Sequence, residues 1–291
     1  MSNLKEIRTR ISSVKTTRQV TAAMKMVSAA KLKKAQDAIL RIRPYAGKIH
    51  EILTMLTASL ENTGESPYAE QREPEKVLIV LISSNRGLCG AFNSAIAKKA
   101  MELVLARYNS QFKAGNVEFF AIGKQGERFL KSQKMKVAGQ ENAVFDSLSF
   151  DRIVPLAEQL MSDFENHRYD RIILVYNQFK NAAVQIQAIE QFLPVEMNVA
   201  DKKTTKTNFI FEPSQEEIVS QLIPRSLKIQ LYKALLDSNA AEHGARMTAM
   251  HQATDNATDL IRDLTITFNK ARQTAITNEI LEVTNGAEAL R

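Results

Sequence analysis

The sequence predicts an α/β fold combined with a long antiparallel coiled coil. N- and C-terminal helices form a rod, and a Rossmann-like open α/β domain is inserted between them. Three observations carry this. Apolar residues keep a 4/3 spacing through the N-terminal segment, at Leu32, Ala35, Ile39, Ile42, Ala46, Ile49, Leu53, Leu56 and Leu60, with Ile7, Ile11 and Val14 upstream in the same register. A second series, Met250, Thr254, Ala257, Ile261, Leu264 and Phe268, runs through the C-terminal segment. Between them, apolar runs of strand length alternate with helical patterns. A seam held over that many heptads reads as a coiled coil, and alternating strands and helices read as a largely parallel sheet. The expected parts are a coiled-coil helix over 1–60, a globular domain over 75–200, and a second coiled-coil helix over 213–291 that pairs with the first.

The first helix is expected to start near Asn3, with Glu6 as its capping-box partner. Pro44 should kink it without ending it, because the apolar register resumes at once. Asn62 to Pro74 is rich in turn residues and reads as a linker. Lys76 then opens KVLIVLIS, a buried strand, followed by a Gly-bearing turn and a helix from about Asn93 to Tyr108. VEFFAIG (117–123) is a second buried strand, followed by a short helix and KMKVAG. Residues 151–166 look helical, RIILVYN (171–177) is another apolar strand, and AVQIQAIEQF (183–192) alternates like an edge strand. These contiguous strands predict that 76–193 folds as a separate unit. DKKTTKTN (201–208) is a polar linker, and Ser214 with Glu217 forms a capping box. Pro224 suits the first turn of a fresh helix, which predicts a break there. The pattern then runs to about Gly286, and the 4-4-4 spacing of Phe268, Arg272, Ile276 and Ile280 marks a stutter. Beyond it, Ile276, Ile280, Val283 and Ala287 continue the seam.

Charge separates the parts further. Residues 1–58 hold twelve Lys or Arg against Glu6, Asp37 and Glu51, a balance of +9 in a chain whose total is +7. The basic character belongs to the first helix, which calls for an acidic partner: nucleic acid, anionic lipid or an acidic protein surface. The longest strictly apolar run, Val77 to Ile82, is too short to span a bilayer, and the N-terminus has no secretory pattern. A single cysteine, Cys89, rules out an internal disulfide and fits a cytoplasmic setting.

Little chemistry is visible. Neither GxxxxGK[ST] nor GxGxxG occurs. The Asn85-Arg86-Gly87-Leu88-Cys89-Gly90 turn lies where α/β folds cradle phosphate. It has no Lys-Ser/Thr pair and no acidic residue placed for a ribose, so it reads as a tight turn with Cys89 buried. The histidines His50, His167, His243 and His251 show no ligand spacing, so no metal and no cofactor is expected. The seam itself has one odd stretch. Its register passes through Arg18, Thr21, Lys25 and Ser28, with Met24, Met26 and Val27 on the neighbouring face. On the C-terminal helix Arg246, Gln252, Asn256, Arg272, Gln273, Thr277 and Asn278 make a second polar stretch. Such surfaces fit a solvated face, or a shaft making weak, replaceable contacts inside a sleeve, where methionine adapts to successive partners.

Three segments, IRTRISSVKTTRQVTAAMKMVSAAKLKKAQ, SNRGLCGAFN and ARMTAMHQATDNATDLIRDLTITFNKARQTAITNEILEVTNGAEAL, closely resemble the gamma subunit family of rotary ATP synthases, in order and over the full length. The resemblance implies a central-stalk rotor, present in one copy per complex. Its coiled coil lies inside the hexamer of alternating alpha and beta subunits, and its globular domain meets the epsilon subunit and the membrane c-ring. Ion flow turns the ring, and the shaft drives the catalytic beta subunits through their conformations, so this chain carries no catalytic residue. A peripheral position on the cytoplasmic face of the bacterial inner membrane follows. Carried over by motif, Met24 and Lys25 face the acidic lever of the beta subunits, and Arg246, Gln273 and Thr277 engage their catch loop. The chain departs from the family pattern at Asn85, usually Asp, at Ala91, usually Gly, and at Gly244, usually Ala. The paired-cysteine insertion of chloroplast relatives is missing. A nucleic-acid-binding rod is the rival reading of the basic helix, but Tyr45 is its first aromatic.

Overall fold

Six consecutive apolar residues open the sheet because this strand is covered on both faces. In the computed structural model, which describes residues 4–59, 67–195 and 215–289, β1 (Val77–Ile82) is buried at every position. It lies at the centre of five strands in the order β3-β2-β1-β4-β5, with β2 Val117–Ile122, β3 Val137–Glu141, β4 Arg171–Phe179 and β5 Gln185–Leu193. The first four are parallel and β5 pairs antiparallel to β4, so it forms an edge as its alternating sequence predicts. Helices α2 (Phe92–Arg107), α4 (Lys124–Ser132) and α5 (Phe150–Glu165) complete the inserted α/β element close to their predicted places, with a short α3 (Asn109–Lys113) that the sequence pattern does not predict. Asn3, Ser214 and the segments 62–66 and 201–208 lie outside the described residues.

The two sheet faces have different covers. Val77, Ile79 and Leu81 pack with Ile96, Ala100 and Val104 of α2. Leu78, Val80 and Ile82 pack with Ile153, Leu160 and Phe164 of α5. That second core also takes in Ile49 and Leu53 from α1 (Leu4–Ser59) and Ile223, Leu227, Ile229, Leu231, Ala234 and Leu235 from α6 (Gln215–Ala289). The terminal helices therefore supply one wall of the globular core.

Gly123 is needed where β2 turns into α4. Its φ is +105°, and an added Cβ would overlap the Ser83 carbonyl and lie 2.7 Å from Ser83 Oγ. Ser83 Oγ in turn accepts the Gly126 N–H at 2.8 Å. Gly123→Ala should lower stability by about 3 kcal/mol or more, read as the urea midpoint of the purified chain. A midpoint within error of the parent would show that the turn can relax.

Two compact units divide the chain: Met1–Ser28 with Arg246–Arg291, and Ala29–Ala245. The unit carrying the sheet is thus wider than 75–200. α1 passes through Pro44 as predicted, but the break predicted at Pro224 does not occur, since α6 is one helix of 75 residues. A proline inside a helix costs about 3 kcal/mol. Ile223, Leu227, Ile229 and Leu231 around it are at most 3% exposed. Burying each contributes about 1.5–3 kcal/mol, so packing outweighs the defect.

In the first unit, α1 and α6 pair antiparallel. Arg8 lies over the Phe268 ring at 5.6 Å, and Thr254 Oγ1 is 2.9 Å from Thr21 Oγ1, so advancing along α1 means moving back along α6. Ile7, Met250 and Ala257 are buried, and Ile11, Val14, Ile261, Leu264 and Phe268 are half-buried. Between these two contacts the positions of the seam read from sequence are the buried and half-buried ones.

Candidate functional site

Doubly wound sheets bind ligands at the carboxyl ends of the strands, where the strand order reverses. Here that point lies between β1 and β4. The turn after β1 is tied down from inside. Ser84 Oγ donates to the Arg86 carbonyl at 2.7 Å, and the Asn93 amide donates to Cys89 Sγ at 3.2 Å. Cys89 is 1% exposed and packs with Phe92, Phe179 and two alanines of α6, Ala241 and Ala245. Between them in sequence, Gly244 brings α6 against the backbone of Ala182, where a Cβ would sit 3.2 Å from its Cα and carbonyl oxygen. The crevice is filled by the chain's own helix. This explains why glycine stands at 244 in mid-helix, and it favours the tight-turn reading of the motif over a phosphate cradle. Asn85 joins neighbouring loops: its amide donates to the Asn142 carbonyl at 2.7 Å and its oxygen accepts the Lys124 N–H at 3.1 Å. A carboxylate could not make the first bond. Among the described residues no group of His, Cys, Asp or Glu could hold a metal ion, and no helix is long and apolar enough to cross a membrane.

The five residues singled out by motif all fall in the two-helix unit. The helices split them into two groups. Thr21 meets Thr254, so one turn further on along α1 sets Met24 and Lys25 level with Met250. Arg246 is one turn beyond, about 6 Å along the axis. Met24 and Lys25 are half-buried, and Arg246 is buried at 7% exposure. Gln273 and Thr277 lie 27 and 31 residues from Arg246 on the same helix, about 40 and 46 Å away. Both are exposed, and Thr277 Oγ1 donates to the Gln273 carbonyl at 2.9 Å. The structure therefore brings Met24, Lys25 and Arg246 together and leaves Gln273 and Thr277 at the far end of α6.

The polar stretch of the seam is truly inside. Thr21 is 9% exposed and Ser28 3%, while Arg18 and Lys25 are half-buried. Thr21 and Ser28 return their hydroxyl hydrogens to α1 carbonyls, Thr21 to Arg18 at 3.0 Å and Ser28 to Met24 at 2.7 Å. These bonds leave the interhelical contact lightly bonded. Outside the seam stand apolar residues facing water: Val20, Met26 and Val27 on α1 are 52%, 68% and 57% exposed. The predicted seam of Ile276, Ile280 and Val283 is also exposed, at 48%, 58% and 68%. Its physical reason is length. Arg8 already lies opposite Phe268, one turn from the first described residue of α1, so α6 continues past the described paired length. Leu281, 52% exposed, widens this surface, although it stands outside the predicted seam. Its only signal was adjacency to Ile280.

Electrostatically the two helices of the pair differ. Residues 1–28 hold Lys5, Arg8, Arg10, Lys15, Arg18 and Lys25 against Glu6 alone, and Lys5, Arg8, Arg10 and Lys15 are exposed. On α6, Asp255, Asp259 and Asp263 are exposed, with Arg262 close to the latter two at 3.8 and 3.7 Å. The surface offered to a partner is a basic stripe beside exposed methionine and valine.

Known proteins are similar to this chain in sequence and in fold. The family described as ATP synthase matches residues 3–290. The ATP synthase gamma chain of Flavobacterium johnsoniae is 57% identical over 291 residues, 100% of this chain and 99% of that one. A chain in the central stalk and c-ring structure of Tetrahymena thermophila mitochondrial ATP synthase is similar at 26% identity and a TM-score of 0.59, covering 80% of this chain and 99% of that chain. A chain of the Euglena gracilis mitochondrial ATP synthase rotor shares the fold, at 20% identity and a TM-score of 0.67 over 94% of this chain and 98% of its own. With the family matched almost end to end and a full-length relative sharing more than half its residues, this protein belongs to the ATP synthase gamma-chain family.

Proposed function

We propose that the chain is the central-stalk rotor subunit of a rotary ATP synthase, coupling ion-driven rotation of the c-ring to the conformational cycle of the catalytic beta subunits. The observation that supports it best is the two-helix unit. Its interhelical seam is partly polar, its flank is basic, and α6 continues past the described end of α1 with Ile276, Ile280, Leu281 and Val283 exposed. A shaft that turns inside a sleeve needs surfaces of this kind: enough apolar area to be held, and polar contacts that exchange. The chain has no active site of its own, and ATP chemistry belongs to the beta subunits. It acts as one copy within the hexamer of alpha and beta subunits, meets the epsilon subunit and the c-ring, and works peripherally at the cytoplasmic face of the bacterial inner membrane. Nucleic acid is not its partner, because the basic helix lacks aromatic stacking residues before Tyr45.

Arg246, Gln273 and Thr277 are assigned to a catch loop of the beta subunit, and Met24 and Lys25 to its acidic lever. Each charge-assisted hydrogen bond to the loop is worth about 1.5–3 kcal/mol, enough to change stepping without preventing assembly. Arg246→Ala, Gln273→Ala and Thr277→Ala together should leave a stoichiometric complex with reduced ATP turnover. Since Arg246 is buried in the chain, the Gln273→Ala, Thr277→Ala pair serves beside the triple variant to separate contact loss from destabilisation. Parental turnover in both complexes would remove these residues from the rotor–stator contact.

A further inference from the structure

Asp237 is the most sequestered charge in the sheet-bearing unit. Its side chain is 0% exposed, on the part of α6 that closes the globular core. Oδ1 accepts from Arg43 Nη2 of α1 at 3.1 Å, and the same nitrogen donates to the Phe179 carbonyl, the last residue of β4, at 3.3 Å. One guanidinium nitrogen thus joins α1, α6 and the end of the sheet. Asp237 Oδ2 has no hydrogen-bond partner among the described residues. Arg43 is 45% exposed, so one partner is dry and the other half-wet. Glu190 of β5 and, one turn back on α6 itself, Lys233 face the pair, with 3.7 Å between them, and Tyr176 of β4 donates its hydroxyl to Glu190 at 2.5 Å.

Stability does not account for this pair. Burial pushes the Asp237 carboxyl above the ordinary carboxylate range in spite of Arg43, so the folded chain carries the ionised group at a cost. Buried pairs of this kind are often replaceable by apolar residues without loss, whereas removing one partner strands the other charge. Apolar packing holds α6 to the sheet through Leu227, Leu231 and Leu235, and α1 through Ile49 and Leu53. Beside Arg43 lies a cavity of about 980 Å³, lined also by Ala46 and Gly47 of α1, Glu190 of β5, and Gln230 and Lys233 of α6. Next to that space the contact of α1 with α6 and with the end of β4 is the directional one that Arg43 makes.

We propose that Arg43 and Asp237 are positioning residues that lock α1 and α6 in register with the sheet, so that torque on the globular core passes into both helices without slip. This rests on the rotor reading and names the residues that make the core stiff in torsion. Three variants distinguish a lock from a merely structural pair, each measured as Tm of the full chain and as protons pumped per ATP hydrolysed by the complex in liposomes. Arg43→Ala strands the buried carboxylate and should lower Tm by about 5 °C or more, with pumping per ATP falling by about twofold or more. Asp237→Leu fills the site without charge and should hold or raise Tm, yet lose coupling to a similar extent. Combining Arg43→Ala with Asp237→Leu should restore Tm and leave coupling impaired. A parental coupling ratio in Asp237→Leu overturns the lock, and so does a coupling loss that tracks Tm across all three. If the unaltered chain fails to assemble with alpha and beta subunits, it is the rotor reading that falls, which keeps the two failures apart.

Discussion

Residues 76–193 expressed alone should show no cooperative thermal transition, whereas residues 29–245 should show one. The contiguous strands suggest an autonomous domain, yet one face of the sheet is closed from outside that range. Ile49 and Leu53 of α1, with Ile223, Leu227, Ile229, Leu231 and Leu235 of α6, share one core with Leu78, Val80 and Ile82. Burying each such side chain contributes about 1.5–3 kcal/mol, so cutting all seven removes roughly 10 kcal/mol or more. A domain of this size has about 5–15 kcal/mol in total. The shorter fragment should therefore bind a hydrophobic dye, aggregate or melt without a sharp midpoint. Calorimetry on the two fragments decides it, and a sharp transition in 76–193 would mean that α5 alone can seal that face.

What the sequence disclosed follows from the range of the interactions. The seam was legible to the level of single polar residues, because a helical register is set by spacing alone. Thr21 and Ser28 were placed inward by counting from Val14, and they are buried. The strands β1, β2 and β4 were legible for a similar reason, since a short apolar run such as VLIVLI bounded by turn residues fits a strand covered on both faces. Pro224 was misread because the local rule for proline knows nothing of Ile223 and Leu227 packing on the sheet beside it. Asp237 gave no signal at all. Its partner is 194 residues away, and one acidic residue in a helix ordinarily means a solvated face. Gly244 was visible only as a missing methyl until the Ala182 backbone appeared against it.

The proposed contacts were legible only through resemblance, since no local pattern tells a rotor surface from a solvated one. The helices then added what motif matching could not: Met24 and Lys25 lie within about one helical turn of Arg246 along the pair, while Gln273 and Thr277 lie about 40 Å or more off. A contact with one partner loop at a time can involve either group, so the two should fail separately when altered. Exposed Met26 and Val27 beside Met24 mark the first group as an apolar patch set in a basic stripe.

Met24→Lys should uncouple the complex more than it slows it. Met24 is half-buried, and its carbonyl accepts the Ser28 hydroxyl at 2.7 Å, so the backbone there is fixed by the helix and the substitution acts through the side chain. A lysine stem occupies much of the volume of methionine and carries its ammonium outward to water, which keeps the fold. It also places a second cation next to Lys25. If Met24 faces the acidic lever of the beta subunit, as proposed, the added ion pair favours one rotor angle over the others. An attraction of about 1 kcal/mol at a partly exposed site, present at one angle only, changes the relative occupancy of the rotor positions about fivefold. Hydrolysis can proceed through the favoured angle, but faithful transfer to the c-ring requires all angles to be visited evenly. Proton pumping by reconstituted complexes should therefore fall further than ATPase rate, and high salt should narrow the gap by screening the new charge. Met24→Leu, equal in size and uncharged, should behave as the parent. Normal pumping by the lysine variant, or equal losses in the leucine variant, would mean that Met24 does not face an acidic surface.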